Sequence, residues 1–125
     1  MQITVKQLNR SVDGKILAVC STDYGDIKGI WRGEEPEISK SYFVEFNVQQ
    51  KLVWGVDILA ADNHEYRTWI EKNTTFLLTK KEVCDEFKSL LFRLGDHLMQ
   101  VETEGEPISG EEFYGIRLKD LLITS

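Results

Sequence analysis

Histidine and cysteine are the side chains best suited to proton transfer, nucleophilic attack and metal binding near neutral pH, and this sequence holds two of each: His64, His97, Cys20 and Cys84. Their spacing argues against such chemistry. Structural zinc draws its ligands in close pairs, whereas these four stand apart from one another. Asp96 precedes His97 and could orient an imidazole, but neighbours on a strand point to opposite faces. His64 lies among Asp62, Asn63 and Glu65 and reads as a solvated surface residue. Both cysteines sit in apolar settings and read as small buried hydrophobes. There is no glycine-rich phosphate loop, nucleophile elbow, His-Glu-x-x-His or Cys-x-x-Cys, nor the alternating oxygen ligands of a calcium loop. The sequence therefore points to no catalytic residue, no metal and no cofactor, and to a protein that is not an enzyme.

Carboxylates are the conspicuous chemical group instead. Asp and Glu number 21 against 15 Lys and Arg, a net charge of −6. A general phosphate-backbone binder needs the opposite balance, so direct nucleic-acid binding is not expected. The charge is unevenly distributed: residues 1–33 carry +2, 34–71 carry −5, 72–100 carry +1 and 101–125 carry −4. Two glutamate clusters account for much of this. Glu34, Glu35 and Glu37 surround Pro36, while Glu104, Glu106, Glu111 and Glu112 occupy a stretch with two glycines and a proline, the mark of an exposed loop. Trp31 precedes the first cluster and Tyr114 follows the second. Solvated glutamate loops commonly serve solubility and edge protection. The functional reading is a basic partner, with Trp31 and Tyr114 as apolar anchors and the seven glutamates supplying opposite charge.

The elements that would position these groups follow from periodicity. At 125 residues the chain fits one domain spanning 1–125. Ile3 and Val5 alternate with Thr4 and Lys6, the apolar run 16–20 follows an Asp13-Gly14 turn, and together they read as a hairpin, with a third strand over 27–32. Tyr42, Val44, Phe46 and Val48 share one face, and Leu52, Trp54, Val56 and Ile58 repeat the pattern, which predicts a second hairpin turning at 49–51. Tyr66, Trp69 and Ile70 at helical spacing after Asp62 predict a short helix ending at Asn73. A short strand over 74–78 follows. Thr79 and Glu82 match a capping box before Val83, Phe87, Leu90, Leu91 and Leu94, with Gly95 as the helix stop. The competing reading is a strand over 88–94 turning at Gly95-Asp96. Residues 97–103 and 113–123 alternate and complete the sheet. The expected fold class is α+β: a twisted, mostly antiparallel sheet of about seven or eight strands with two helices on one face.

The start of the chain lacks the pattern of a signal peptide, and no apolar run approaches a membrane span, so the expected compartment is the cytoplasm. A small acidic domain without catalytic motifs resembles, in general character, the immunity proteins of bacterial toxin–immunity pairs. The function implied is neutralisation of a basic partner protein, a nuclease toxin above all, by blocking its active-site cleft with acidic loops. The alternative is a small-molecule-binding or enzymatic domain with a pocket between sheet and helices, lined by Trp54, Trp69, Phe87 and Phe92.

Overall fold

A computed structural model describes residues 1–84 and 89–125 of the chain. Thirteen strands are present and, among the described residues, no helix. They are β1 (Gln2–Arg10), β2 (Ile16–Thr22), β3 (Gly25–Arg32), β4 (Ser41–Phe43), β5 (Glu45–Val48), β6 (Leu52–Val53), β7 (Ile58–Ala60), β8 (Arg67–Glu71), β9 (Thr74–Cys84), β10 (Ser89–Leu94), β11 (His97–Glu104), β12 (Phe113–Leu118) and β13 (Leu121–Thr124). The α+β class with two packed helices is therefore replaced by an all-strand fold.

The sheet runs in the order β4-β1-β2-β3-β8-β9-β10-β11-β6 and branches at two strands. Parallel to β3 lies β13, which also pairs with β5; antiparallel to β9 lies β12, which also pairs with β7. The expected first hairpin forms as β1 and β2, and β3 continues it. Alternation along 42–48 and 52–58 selects the correct face at most positions, since Val44, Phe46, Leu52, Trp54 and Ile58 are all buried. The partners differ from a hairpin, however. Strands β4 and β5 pair with β1 and β13, while β6 joins β11 and β7 joins β12. A tight turn at 55–57, closed by hydrogen bonds from Asp57 N to Val53 O and from Gly55 N to Ile58 O, turns Val56 outward.

Both expected helices fail for a physical reason that their own stop residues reveal. Lys72 and Asn73 have φ of 48° and 63°, the left-handed pair of a two-residue hairpin turn joining β8 to β9. A left-handed Asn after apolar residues suits a helix terminus equally well. Gly95, with φ of 61°, likewise turns β10 into β11, as the competing reading has it. Thr79 is a buried strand residue whose hydroxyl donates to Tyr114 O at 3.3 Å, and Glu82 pairs across strands with Arg93 at 2.7 Å, so neither caps a helix. The part of that expected helix at residues 85–88, including Phe87, lies outside the described residues.

The core follows from period-2 burial. Leu90, Phe92 and Leu94 of β10 face Met99 and Val101 of β11, with Leu77, Tyr114, Ile116 and Leu118 beside them. Each such large apolar side chain contributes on the order of 1.5–3 kcal/mol when fully buried. Cys20 is buried in the same core, and burial pushes its thiol up to about 12, an unreactive state. The side chain of Cys84 lies outside the described residues. Among the described residues, no helix is long and apolar enough to cross a membrane.

Candidate functional site

The two aromatic anchors expected from the sequence are core residues. Trp31 is 4% exposed, and its indole Nε1 donates to Glu34 O at 2.8 Å while its ring meets Tyr42 edge to face. Tyr114 is fully buried, and its hydroxyl donates to Ile108 O at 2.8 Å. Each therefore tethers its acidic loop from inside and presents no surface for a partner. An aromatic ring beside a charged loop is more useful as a strut here because it buries a large apolar area while its polar tip satisfies a loop carbonyl.

All seven glutamates are exposed. Glu34, Glu35 and Glu37 belong to the loop after β3, which is held to β1: Ser39 N donates to Val5 O, Glu35 pairs with Arg10, and Glu37 sits 3.5 Å from Lys40. Glu104 ends β11 beside β6, and Glu106, Glu111 and Glu112 lie on the loop that follows, held to β9 and β12. There Trp54 N donates to Glu104 O, Lys81 N donates to Glu112 O, and Glu112 pairs with Lys80 at 3.0 Å. The hydrogen bond from Lys80 holds the Glu112 carboxyl below its ordinary value. The two loops thus rest on different elements. No hydrogen bond or ion pair joins them among the described residues.

A second acidic segment does join the Glu111 loop, and the sequence reading missed it. Residues 61–66 fold over Phe113: Ala61 N donates to Phe113 O at 3.0 Å, His64 stacks on the Phe113 ring at 5.2 Å, and Tyr66 lies 5.5 Å from it. This seats the exposed Asp62 and Glu65 beside the start of β12, where Glu111 and Glu112 also project.

From that acidic end an open sheet face extends across β7, β12, β9 and β8. Register places Leu59, Gly115, Leu78 and Arg67 in one row and Arg117, Phe76 and Trp69 in the next. Trp69 and Phe76 are half-buried and stack 5.4 Å apart at 9°, with the Arg67 guanidinium 5.2 Å over the Trp69 ring. Leu59 is 52% exposed and Val56 is 56% exposed. The depression between these side chains measures about 340 Å³. Arg117 closes one end by pairing with Asp57 at 3.1 Å, and Asp57 is further fixed by accepting from Val53 N at 2.9 Å.

Charge along this face is mostly negative. Asp57, Asp62, Glu65, Glu71, Glu111 and Glu112 border it, against Arg67, Arg117 and Lys80. Arg117 and Lys80 are already paired, whereas Asp62, Glu65, Glu71 and Glu111 make no ion pair among the described residues. The face thus combines a contiguous exposed apolar surface with a border of carboxylates that make no ion pair among the described residues. The expected sheet–helix pocket is absent among the described residues, since Trp54 and Phe92 are core residues and Trp69 faces outward, while Phe87 lies outside them. The signal that could have found the face is the period-2 pattern of Arg67, Trp69, Glu71 and of Phe76, Leu78, Lys80 on either side of Lys72-Asn73. Among the described residues, no group of three or more His, Cys, Asp or Glu is arranged to hold a metal ion. No protein-family model, curated protein or solved structure matches the chain.

Proposed function

We propose that this protein is a non-catalytic inhibitor of the immunity type, acting in the cytoplasm, that binds a basic protein, a bacterial nuclease toxin above all, and covers its active-site cleft with an acidic surface. The observation that carries this reading is the continuity of the exposed apolar face of β7, β12, β9 and β8 with the carboxylates of Asp62, Glu65, Glu71 and Glu111. Apolar burial of Leu59, Val56, Trp69 and Phe76 supplies affinity, and the carboxylates supply attraction and selection. A nuclease keeps its cleft electropositive to hold phosphate, so a carboxylate border beside an apolar seat is complementary to the rim of such a cleft. Glu104 and Glu106 extend the negative field at the same end. The loop of Glu34, Glu35 and Glu37 is outside this interface, because it is held to β1 through Ser39 N to Val5 O and Glu35 to Arg10 and not to β7, β12, β9 or β8.

The test is titration of the purified protein into purified basic toxin nucleases while cleavage of nucleic acid is followed. One equivalent should abolish cleavage by the cognate enzyme, and the association rate should fall about tenfold between low and moderate ionic strength. Inhibition that needs a large excess, or an association rate indifferent to salt, contradicts the reading.

A further inference from the structure

A cavity of about 620 Å³ lies over β2, β3 and β13, away from the proposed interaction face. Its volume falls within the roughly 300–1,000 Å³ of small-molecule sites. Ile16, Ile30 and Leu122 give it an apolar floor, and Leu122 and Ile30 are direct partners in the parallel pairing of β13 with β3. Its polar lining is cationic on an acidic protein. Lys15 enters from the β1–β2 turn and Arg32 from the end of β3. The Arg32 guanidinium makes no hydrogen bond or ion pair among the described residues, while its carbonyl accepts from Ser125 N at 3.2 Å. The Lys15 ammonium has a single ion-pair contact among the described residues, 3.6 Å from Asp13 Oδ2, between side chains that are both more than half exposed.

Gln50 adds a donor whose orientation is fixed. Its Oε1 accepts from Lys119 N at 2.7 Å and from Asp120 N at 3.3 Å, so the amide is locked and its NH2 group is the end left to serve a ligand. Asp120 also lines the cavity, which leaves two cations against one carboxylate, a balance suited to a single negative charge. A dianionic phosphate would exceed that balance by one charge.

We propose that this cavity binds a small organic monoanion with an apolar body and one carboxylate. The carboxylate lies against the Arg32 guanidinium, the Gln50 amide and Lys15, and the apolar body lies on Ile16, Ile30 and Leu122. The experiment is a titration of the isotope-labelled full chain with decanoate, 1-decanol and decyl phosphate, each below its micelle-forming concentration, followed by amide chemical shifts. Decanoate should move the amides of Lys15, Ile30, Arg32 and the side-chain amide of Gln50, and should bind about tenfold more tightly than either analogue. Arg32→Leu and Lys15→Gln, both at exposed positions, should each weaken decanoate binding about tenfold with dispersion of the spectrum unchanged. Equal binding of 1-decanol, equal or tighter binding of decyl phosphate, shifts centred on Leu59 and Phe76 instead, or no effect of Arg32→Leu would each overturn the proposal, as would no binding at all.

Discussion

Trp69 and Phe76 are direct cross-strand partners whose rings stack 5.4 Å apart on the open side of the sheet, beside residues that the core does not use. Cross-strand aromatic pairs stabilise a sheet by only about 0.2–1 kcal/mol relative to an Ala–Ala pair. On the proposed interface, a half-exposed pair of this size offers more to a partner than to the fold.

That imbalance gives an ordering of mutational effects. Phe76→Ala should cost about 1–2 kcal/mol in chemical denaturation, because the side chain is only half-buried. Leu77→Ala, one residue along and 1% exposed, should cost about 2–5 kcal/mol. Partner affinity should rank them the other way, with Phe76→Ala losing about 2 kcal/mol or more and a folded Leu77→Ala losing little. Denaturation and binding titrations of both variants check the reversal.

Charge reversal separates attraction from folding. Asp62→Lys, Glu65→Lys and Glu111→Lys alter exposed carboxylates with no ion pair among the described residues, so together they should shift stability by less than about 1 kcal/mol. The association rate with the basic partner should fall by about tenfold or more, and most of its salt dependence should disappear. Stopped-flow association at several ionic strengths measures both. The same exchange at Glu35 and Glu37, outside the interface, should leave the rate close to that of the unaltered protein.

Gly95 tests the turn that replaced a helix end. Its φ is 61°, and a Cβ there would lie 1.9 Å from the Tyr24 hydroxyl oxygen. Gly95→Ala should destabilise the protein by more than about 2 kcal/mol, combining left-handed strain with a clash against a ring already held at 5.6 Å from Tyr66. Tyr24→Ala should recover part of that loss in the double variant. Thermal unfolding of the two single variants and the double variant gives the coupling.

His97 makes stability depend on pH in a stated direction. Its Nε2 accepts from Phe46 N at 3.3 Å, which requires the neutral ring. Burial first, and then the N-terminal amino group, hold its pKa below the ordinary 6.5, with Glu45 acting the other way. The unfolded chain thus binds the proton more tightly than the folded one. Stability from this group is complete above pH 6.5 and is lost as the pH falls through 6.5 toward the folded pKa, at no more than about 1.4 kcal/mol per pH unit. His97→Gln should remove that slope. Unfolding free energies of both proteins between about pH 7.5 and 5 decide the matter.

What the sequence could reveal divides along physical lines. Asp13-Gly14 marks a turn without ambiguity, so the first three strands were legible. Alternation in 42–48 and 52–58 fixes which face is buried, but a strand's partner depends on distant chain, and those partners proved to be β1, β13, β11 and β12. Asn73 and Gly95 adopt a left-handed conformation that serves a helix end and a hairpin turn alike. In the candidate site, the exposure of Glu104, Glu106, Glu111 and Glu112 was legible because four carboxylates beside glycine and proline have no place in a core. The anchors were not. Trp31 and Tyr114 are buried by strands far away in sequence, and Asp62 and Glu65 join the face only because His64 and Tyr66 pack on Phe113.

Contact from the open face to a basic partner is best measured by site-specific photo-crosslinking from Leu59, with Val12 as an exposed position away from that face. The full chain carrying the crosslinker at either position is mixed with the cognate nuclease, with and without Gly115→Lys. Gly115 lies at the centre of the face, and a Cβ there would meet only ordinary contacts at 3.8 and 3.9 Å, so the added lysine should block the face without disturbing the strands. The crosslink should form from Leu59 to the cationic cleft of the nuclease, be absent from Val12, and vanish with Gly115→Lys. Equal crosslinking from Val12, or a Leu59 crosslink that survives Gly115→Lys in a folded variant, would contradict the interaction face.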